Sequence, residues 1–202
     1  VLAGHLLADD GSPDPEQIAH EAAEIEGHPD NVAPSVYGGL VATTCVGAHL
    51  HTVQLPFPAL DIVLVIPQHA VSTREARRIL PEQVPLTAAV FNLSRLAALL
   101  GALSTQDLDA LRLGMQDRLH QEHRLALVPG LDTALQALLE EPDSLGAAIS
   151  GSGPTLLALY RSAPDDAGRA AVAALEEAGV TARIQRIRPS TRGASWERVQ
   201  SP

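Results

Sequence analysis

Two short segments of this chain gather the residue types that bind and activate polar ligands. The first is Glu26-Gly27-His28-Pro29-Asp30-Asn31-Val32-Ala33-Pro34, which holds two carboxylates, an imidazole and an amide. Proline fixes φ, so Pro29 and Pro34 stiffen the backbone and hold the side chains near them in set directions. Such a turn could bind a polar ligand or hold a divalent cation through oxygen. The same composition also suits a turn that ends a helix and uses its polar groups for local hydrogen bonds. The second segment is Ser150-Gly151-Ser152-Gly153-Pro154. Glycines at alternate positions permit positive φ and let backbone N–H groups face outward as an anion nest, although many tight strand connections read the same way. Arginines form a third set. Arg74 and Arg77 share a face if residues 73–80 are helical, and Arg118 to Arg124 precede Pro129-Gly130. An arginine fork beside a turn matches an amino-acid carboxylate, while a solvated surface arginine is the plainer alternative.

Other chemistries are excluded. All fourteen basic residues are arginine, and a Walker A loop, a Schiff-base centre and a protein-kinase site each require lysine. His49 and His51 share a strand face, but no third ligand follows at zinc spacing. Gly151-Ser152-Gly153 runs into Pro154 and a strand, not into a helix, so it is no nucleophile elbow. The net charge of −10 argues against nucleic acid and anionic membranes as partners. No apolar run near 18 residues and no signal-like segment is read, so no membrane span or secretory leader is expected. Cys45 is the single cysteine, which excludes a disulfide framework and points to a reducing, cytoplasmic setting.

The elements that must position these groups follow from periodicity and punctuation. Residues 1–8 read as the end of a buried helix, and the chain is expected to be a fragment whose upstream part is missing. Asp14 is a plausible N-cap for a helix over 16–26, stopped by Gly27, with Ile18, Ala19, Ala22 and Ile25 on its apolar face. Strands over 40–46 and 50–55 form a hairpin around Gly47-Ala48, and 56–59 are a linker. A buried strand over 60–66 is followed by helices over 73–80, 86–103, 105–120 and 131–140. Strands over 146–149 and 155–160 flank the glycine segment. A helix over 165–178 and a strand over 182–187 complete the series, with a loose tail from Arg188. From residue 60 this order suits an antiparallel sheet with helices on one face, an α+β fold. Aromatic residues are only 2% of the chain, so the core must be built from Leu, Val, Ile and Ala.

Four segments then stand in a telling order: EGHPDNVAPSVYGGLVAT at 26–43, VSTREARRILP at 71–81, HQEHRLALVPG at 120–130 and AAISGSGPTLLAL at 147–159. Together they resemble bacterial homoserine kinases of the GHMP kinase superfamily, through nearly the whole chain to about residue 187. The resemblance implies ATP-dependent phosphorylation of the L-homoserine hydroxyl with Mg²⁺, a step of threonine biosynthesis. It implies that residues 1–59 are the C-terminal remnant of an N-terminal, ATP-binding α/β domain. Residues 60–202 would be a ferredoxin-like α+β C-terminal domain, with the active site between the two. By the same resemblance Glu26 is the Mg²⁺ ligand, and His28, Asp30 and Asn31 belong to the substrate pocket. Arg77 and Arg124 hold the carboxylate and amino-acid end of homoserine, and Ser150, Gly151, Ser152 and Gly153 brace the phosphate loop.

Related superfamily kinases can place an aspartate near Asn31 as base. An amide takes no proton, so no general base is evident here. Glu122-His123 stands where the family usually has Pro-Tyr. The family's Pro-x-x-x-Gly-Leu-Gly-Ser-Ser-Ala-type loop is absent from this chain, so the polypeptide by itself is expected to be inactive or nearly so. Two alternatives stay open: a GHMP kinase for another small alcohol, and a non-catalytic α+β module that binds an amino acid or a partner. A homodimer is likewise open. Exposed apolar surface is expected around residues 1–8 and 36–46, where missing sequence would pack.

Overall fold

The structure, a computed structural model that describes residues 14–47 and 49–195, divides into two units. One is Val1–Phe57 with Ser190–Pro202 and the other is Pro58–Pro189. The expectations for residues 1–8 and for Ala48 lie outside the described residues.

In the first unit Asp14 caps α1 (Pro15–Glu26) as its sequence anticipates. Its Oδ1 accepts the Glu16 N–H at 3.0 Å, Pro15 occupies the first turn, and Gly27 ends the helix at φ 86°. Ile18 and Ala19 are buried, but Ile25 is 78% exposed, so the apolar face stops a turn earlier than expected. The apolar stretch after Asn31 folds as a second helix, α2 (Val32–Tyr37). Pro34 is tolerated there because the first turn of a helix leaves its N–H groups unpaired anyway. Antiparallel strands β1 (Leu40–Val46) and β2 (His49–Leu55) pair from Leu40 with Leu55 to Val46 with His49. Val46 and Val53 are exposed on this hairpin.

The segment after Arg188 is not loose throughout. Ser190 accepts the Gly39 N–H at 2.7 Å, and the Ala194 N–H donates to the Val36 carbonyl at 3.1 Å. Gly38, at φ 74°, has the Arg192 backbone where a side chain would stand, 2.5 Å from an ideal Cβ. Only glycine admits so close an approach.

The second unit is built on four strands: β3 (Asp61–Pro67), β4 (Ser144–Ile149), β5 (Leu156–Tyr160) and β6 (Ala182–Ile187). Their order across the sheet is β4-β5-β3-β6, and every pairing is antiparallel. α3 (Thr73–Arg78), α4 (Leu86–Thr105), α5 (Leu111–Gly114), α6 (Gln121–Leu125) and α7 (Leu131–Glu140) lie between β3 and β4, and α8 (Arg169–Glu177) between β5 and β6. This β-α-β-β-α-β order is ferredoxin-like. Val63 and Val65 of β3, Leu131 and Leu138 of α7, Leu156 of β5 and Leu175 of α8 fill the core. The one large aromatic side chain there, Tyr160, is satisfied by donating to Glu141 Oε2 at 2.5 Å, while Oε1 accepts the Gly168 N–H at 2.9 Å. Burial, with Glu141 alongside, pushes the Tyr160 phenol far above its ordinary range.

Three elements depart from expectation. The single helix over 105–120 is replaced by a 3₁₀ turn (Leu108–Ala110), the one-turn α5 and an open turn before α6. Gln106 takes left-handed backbone at φ 57° and ends α4. α8 begins four residues late because Gly168 precedes it at φ 84°, pressed against Val63 and Val65. Finally, α4 is long and apolar enough, by length and composition, to cross a membrane, which corrects the reading that no apolar run approaches 18 residues. Its Leu86, Val90, Leu93 and Leu96 are exposed, and Ala102 and Leu103 are buried.

Candidate functional site

In the first unit the four expected residues meet on one turn. Glu26 is the last residue of α1, and Gly27 reverses the chain after it. The His28 ring sits between two carboxylates, with Nδ1 hydrogen-bonded to Asp30 Oδ1 and Nε2 3.8 Å from Glu26 Oε1. Asp30 Oδ1 also accepts the Asn31 N–H at 3.1 Å. The Pro29 carbonyl accepts from Ala33, and the Asn31 carbonyl from the Ser35 N–H and hydroxyl. Local hydrogen bonds thus take up the turn's backbone and Asp30. The Asn31 side chain, which makes no capping bond, and much of the Glu26 carboxylate remain exposed. Among the described residues no three metal-ligating side chains converge. Mg²⁺ held with nucleotide phosphates takes only one or two protein carboxylates, so the hard oxygen of Glu26 at an exposed helix end fits that ion.

In the second unit the glycine segment is the turn between β4 and β5. The Ser150 N–H donates to the Thr155 carbonyl at 2.8 Å, and the Gly153 N–H to the Ser150 carbonyl at 3.0 Å. Those bonds close the turn. Among the described residues the N–H groups of Gly151 and Ser152 have no partner, so two donors, not the whole segment, are free for a ligand. Gly151 lies at φ 58° with nothing within 4 Å of an added Cβ. Backbone conformation, not crowding, calls for glycine there.

Arg124 ties this turn to α3. Its Nη1 donates to the Gly151 carbonyl at 2.9 Å, and its Nε donates to the Ala76 carbonyl at 3.4 Å. Nη2 has no partner among the described residues. Ala76 directly precedes Arg77, whose exposed side chain makes no hydrogen bond or ion pair among the described residues. α3 itself starts on Ser72, whose Oγ accepts the Glu75 N–H at 3.1 Å.

A polar cluster behind Arg124 was not singled out from sequence. Asp117 Oδ1 accepts the N–H groups of Leu119, His120 and Gln121 at 3.0, 2.7 and 2.8 Å. Its Oδ2 accepts the Asn92 amide at 2.7 Å and lies 3.4 Å from His120 Nε2. Asn92 Oδ1 in turn accepts the Arg118 N–H at 2.9 Å. Buried Gln121 accepts the Ile149 N–H at 2.8 Å, one residue before the glycine turn. Burial pushes the Asp117 carboxyl up, but the N–H groups of Gln121 and His120 and the Asn92 amide outweigh it and hold it below the usual carboxylate range. Burial also pushes the His120 imidazole down, against the pull of Asp117 and with help from Arg124. An aspartate just ahead of a short helix is a recognisable cap; the unbroken helix expected over 105–120 hid it.

Residues 99–181 match the family model described as GHMP kinases C terminal. A homoserine kinase of Moorella thermoacetica is 42% identical over 182 residues, covering 89% of this chain and 61% of the relative. One from Thermus thermophilus is 45% identical over 166 residues, covering 80% and 56%. The crystal structure of homoserine kinase from Cytophaga hutchinsonii matches with a TM-score of 0.81 at 30% identity, covering 95% of this chain and 62% of that one. The chain therefore spans 56–62% of the length of these relatives.

Proposed function

We propose that the chain is part of a GHMP-superfamily kinase, as its match to the GHMP kinases C terminal model and its likeness to homoserine kinases support, and that the protein transfers the γ-phosphoryl group of ATP to the side-chain hydroxyl of L-homoserine. The product, O-phospho-L-homoserine, places the reaction in threonine biosynthesis. One observation carries this reading most directly: Arg124 is anchored by Nε and Nη1 to α3 and to the glycine turn, with Nη2 left to offer. A guanidinium fixed on two sides presents its remaining edge in one direction, as recognition of a carboxylate requires. Arg77, on the same helix as Ala76, supplies the second cation.

The hydroxyl oxygen forms a bond to the γ-phosphorus as the bond to the β,γ-bridging oxygen breaks and ADP leaves. The transition state is loose, so positioning and charge stabilisation dominate. Asn31 orients the hydroxyl by hydrogen bonding and accepts no proton, which leaves with the transferred phosphoryl group or to water. The N–H groups of Gly151 and Ser152 meet phosphate oxygen as an anion nest. Glu26, oriented beside His28, would hold Mg²⁺, which when bound neutralises charge on the phosphates.

The 202-residue polypeptide holds no phosphate loop of the family type, and by itself it is expected to release little or no ADP. A coupled ADP-release assay tests the whole reading. In the full-length protein, turnover should depend on homoserine and exceed that with mevalonate or galactose. Turnover with another alcohol but not homoserine would leave a GHMP kinase of different specificity. Binding of the amino acid without ADP release would leave a non-catalytic module.

A further inference from the structure

We propose that Asp117 is a positioning residue: it sets the helix and the imidazole that fix Arg124 against the glycine turn. The inference deepens the reading of Arg124 given above and rests on it for the substrate concerned. Asp117 reaches Arg124 by two routes. Through Oδ1 it closes the turn that leads into α6, accepting the N–H groups of Leu119 and His120 and that of Gln121, the first residue of the helix, which has no intrahelical partner. Arg124 lies on that same short helix, so the cap sets where its Cα stands. Through Oδ2 it faces His120 Nε2, and the opposite ring nitrogen, Nδ1, lies 3.4 Å from Arg124 Nη1. A carboxylate on Nε2 keeps the proton there, which leaves Nδ1 as an acceptor for the guanidinium.

Asn92 completes the frame by holding Oδ2 through its amide and the Arg118 N–H through its carbonyl. The long helix α4 thereby fixes the capping carboxylate. A five-residue helix has little stability of its own, so without this cap α6 has few means to hold an arginine in one place. The cluster forms a continuous chain from Asn92 through Asp117, His120 and Arg124 to the Gly151 carbonyl.

The test uses the full-length protein. Asp117→Asn preserves size and one backbone acceptor but turns an NH₂ group toward the Asn92 amide and toward His120. KM for homoserine should rise about tenfold with kcat changing by less than about threefold, the signature of lost substrate positioning. In an Arg124→Ala background the same substitution should shift KM by less than about twofold, because the two residues act as one unit. A second readout needs no turnover: the Arg124 Nε–H, bonded to the Ala76 carbonyl, should be protected from solvent exchange in the parent and lose that protection in Asp117→Asn, as followed by ¹⁵N NMR.

Retained protection, or a KM rise that is the same with and without the Arg124 side chain, would overturn the proposal. Lost protection with unchanged KM would support the positioning role while refuting the assignment of Arg124 to the substrate. If Asp117→Asn does not fold, Asn92→Ala removes only the outer support. It should raise KM about threefold in the parent and not at all in Arg124→Ala. An equal rise in both backgrounds overturns the proposal.

Discussion

Arg77 and Arg124 are held differently: Arg77 is exposed and without a partner among the described residues, whereas Arg124 is held by two carbonyls. Their loss should therefore look different. Arg77→Ala should raise KM for homoserine about tenfold or more while leaving melting temperature and KM for ATP unchanged, since a charge-assisted hydrogen bond is worth roughly 1.5–3 kcal/mol. Arg124→Ala should raise KM for both substrates, because it also frees the Gly151 carbonyl. Steady-state kinetics on the two variants separates these outcomes. Gly151→Ala gives a third check. Its Cβ meets nothing, so its cost is the left-handed backbone alone, about 1–2 kcal/mol by denaturant titration.

At this scale the sequence was readable where chemistry and local order coincide. Glu26, His28, Asp30 and Asn31 lie within six residues, and any tight turn brings them together. Asp117 was not readable, because its partner Asn92 is 25 residues away and only the tertiary fold joins them.

Among elements, α1 was legible to its ends because Asp14, Pro15 and Gly27 each act on their own neighbours. Asp14→Ala should cost about 1 kcal/mol in urea unfolding for the same reason. The stretch 105–120 was misread because apolar spacing continues through Leu108, Leu111 and Leu119 although the backbone does not. What breaks it is Gln106 in left-handed conformation at the end of α4, and Asp117, which takes the Gln121 N–H of the next helix while the Asn92 amide of α4 holds it.

The same turn carries a pH dependence. His120 has a depressed pKa when folded, so the unfolded chain binds its proton first and stability falls as pH drops below about 6.5. Asp117, also depressed, adds a further loss as pH falls below about 4. His120→Gln should remove the upper part of this loss in thermal melts between pH 5 and 7, and leave the lower part.

Taken whole, the ferredoxin-like unit was within reach of the sequence because its strands are short, β-branched or aliphatic, and separated by glycine or helix. The pairing of β3 with both β5 and β6 joins residues about a hundred positions apart, which periodicity cannot supply; topology rules and the resemblance supplied it. The packing of residues 190–194 against α2 and Gly38-Gly39 was out of reach for a different reason. It uses backbone contacts made possible by Gly38 and Gly193, and such contacts leave no pattern of side-chain types.

Recognition of an amino acid through its carboxylate is best tested with a substrate that lacks only that group. Homoserine and 3-aminopropan-1-ol present the same amine and the same primary alcohol to the full-length protein. Phosphorylated product should form from homoserine with kcat/KM about a thousandfold above the analogue, and the preference should collapse in Arg77→Ala and Arg124→Ala. Equal rates on the two alcohols, or a preference that survives loss of both arginines, would contradict it.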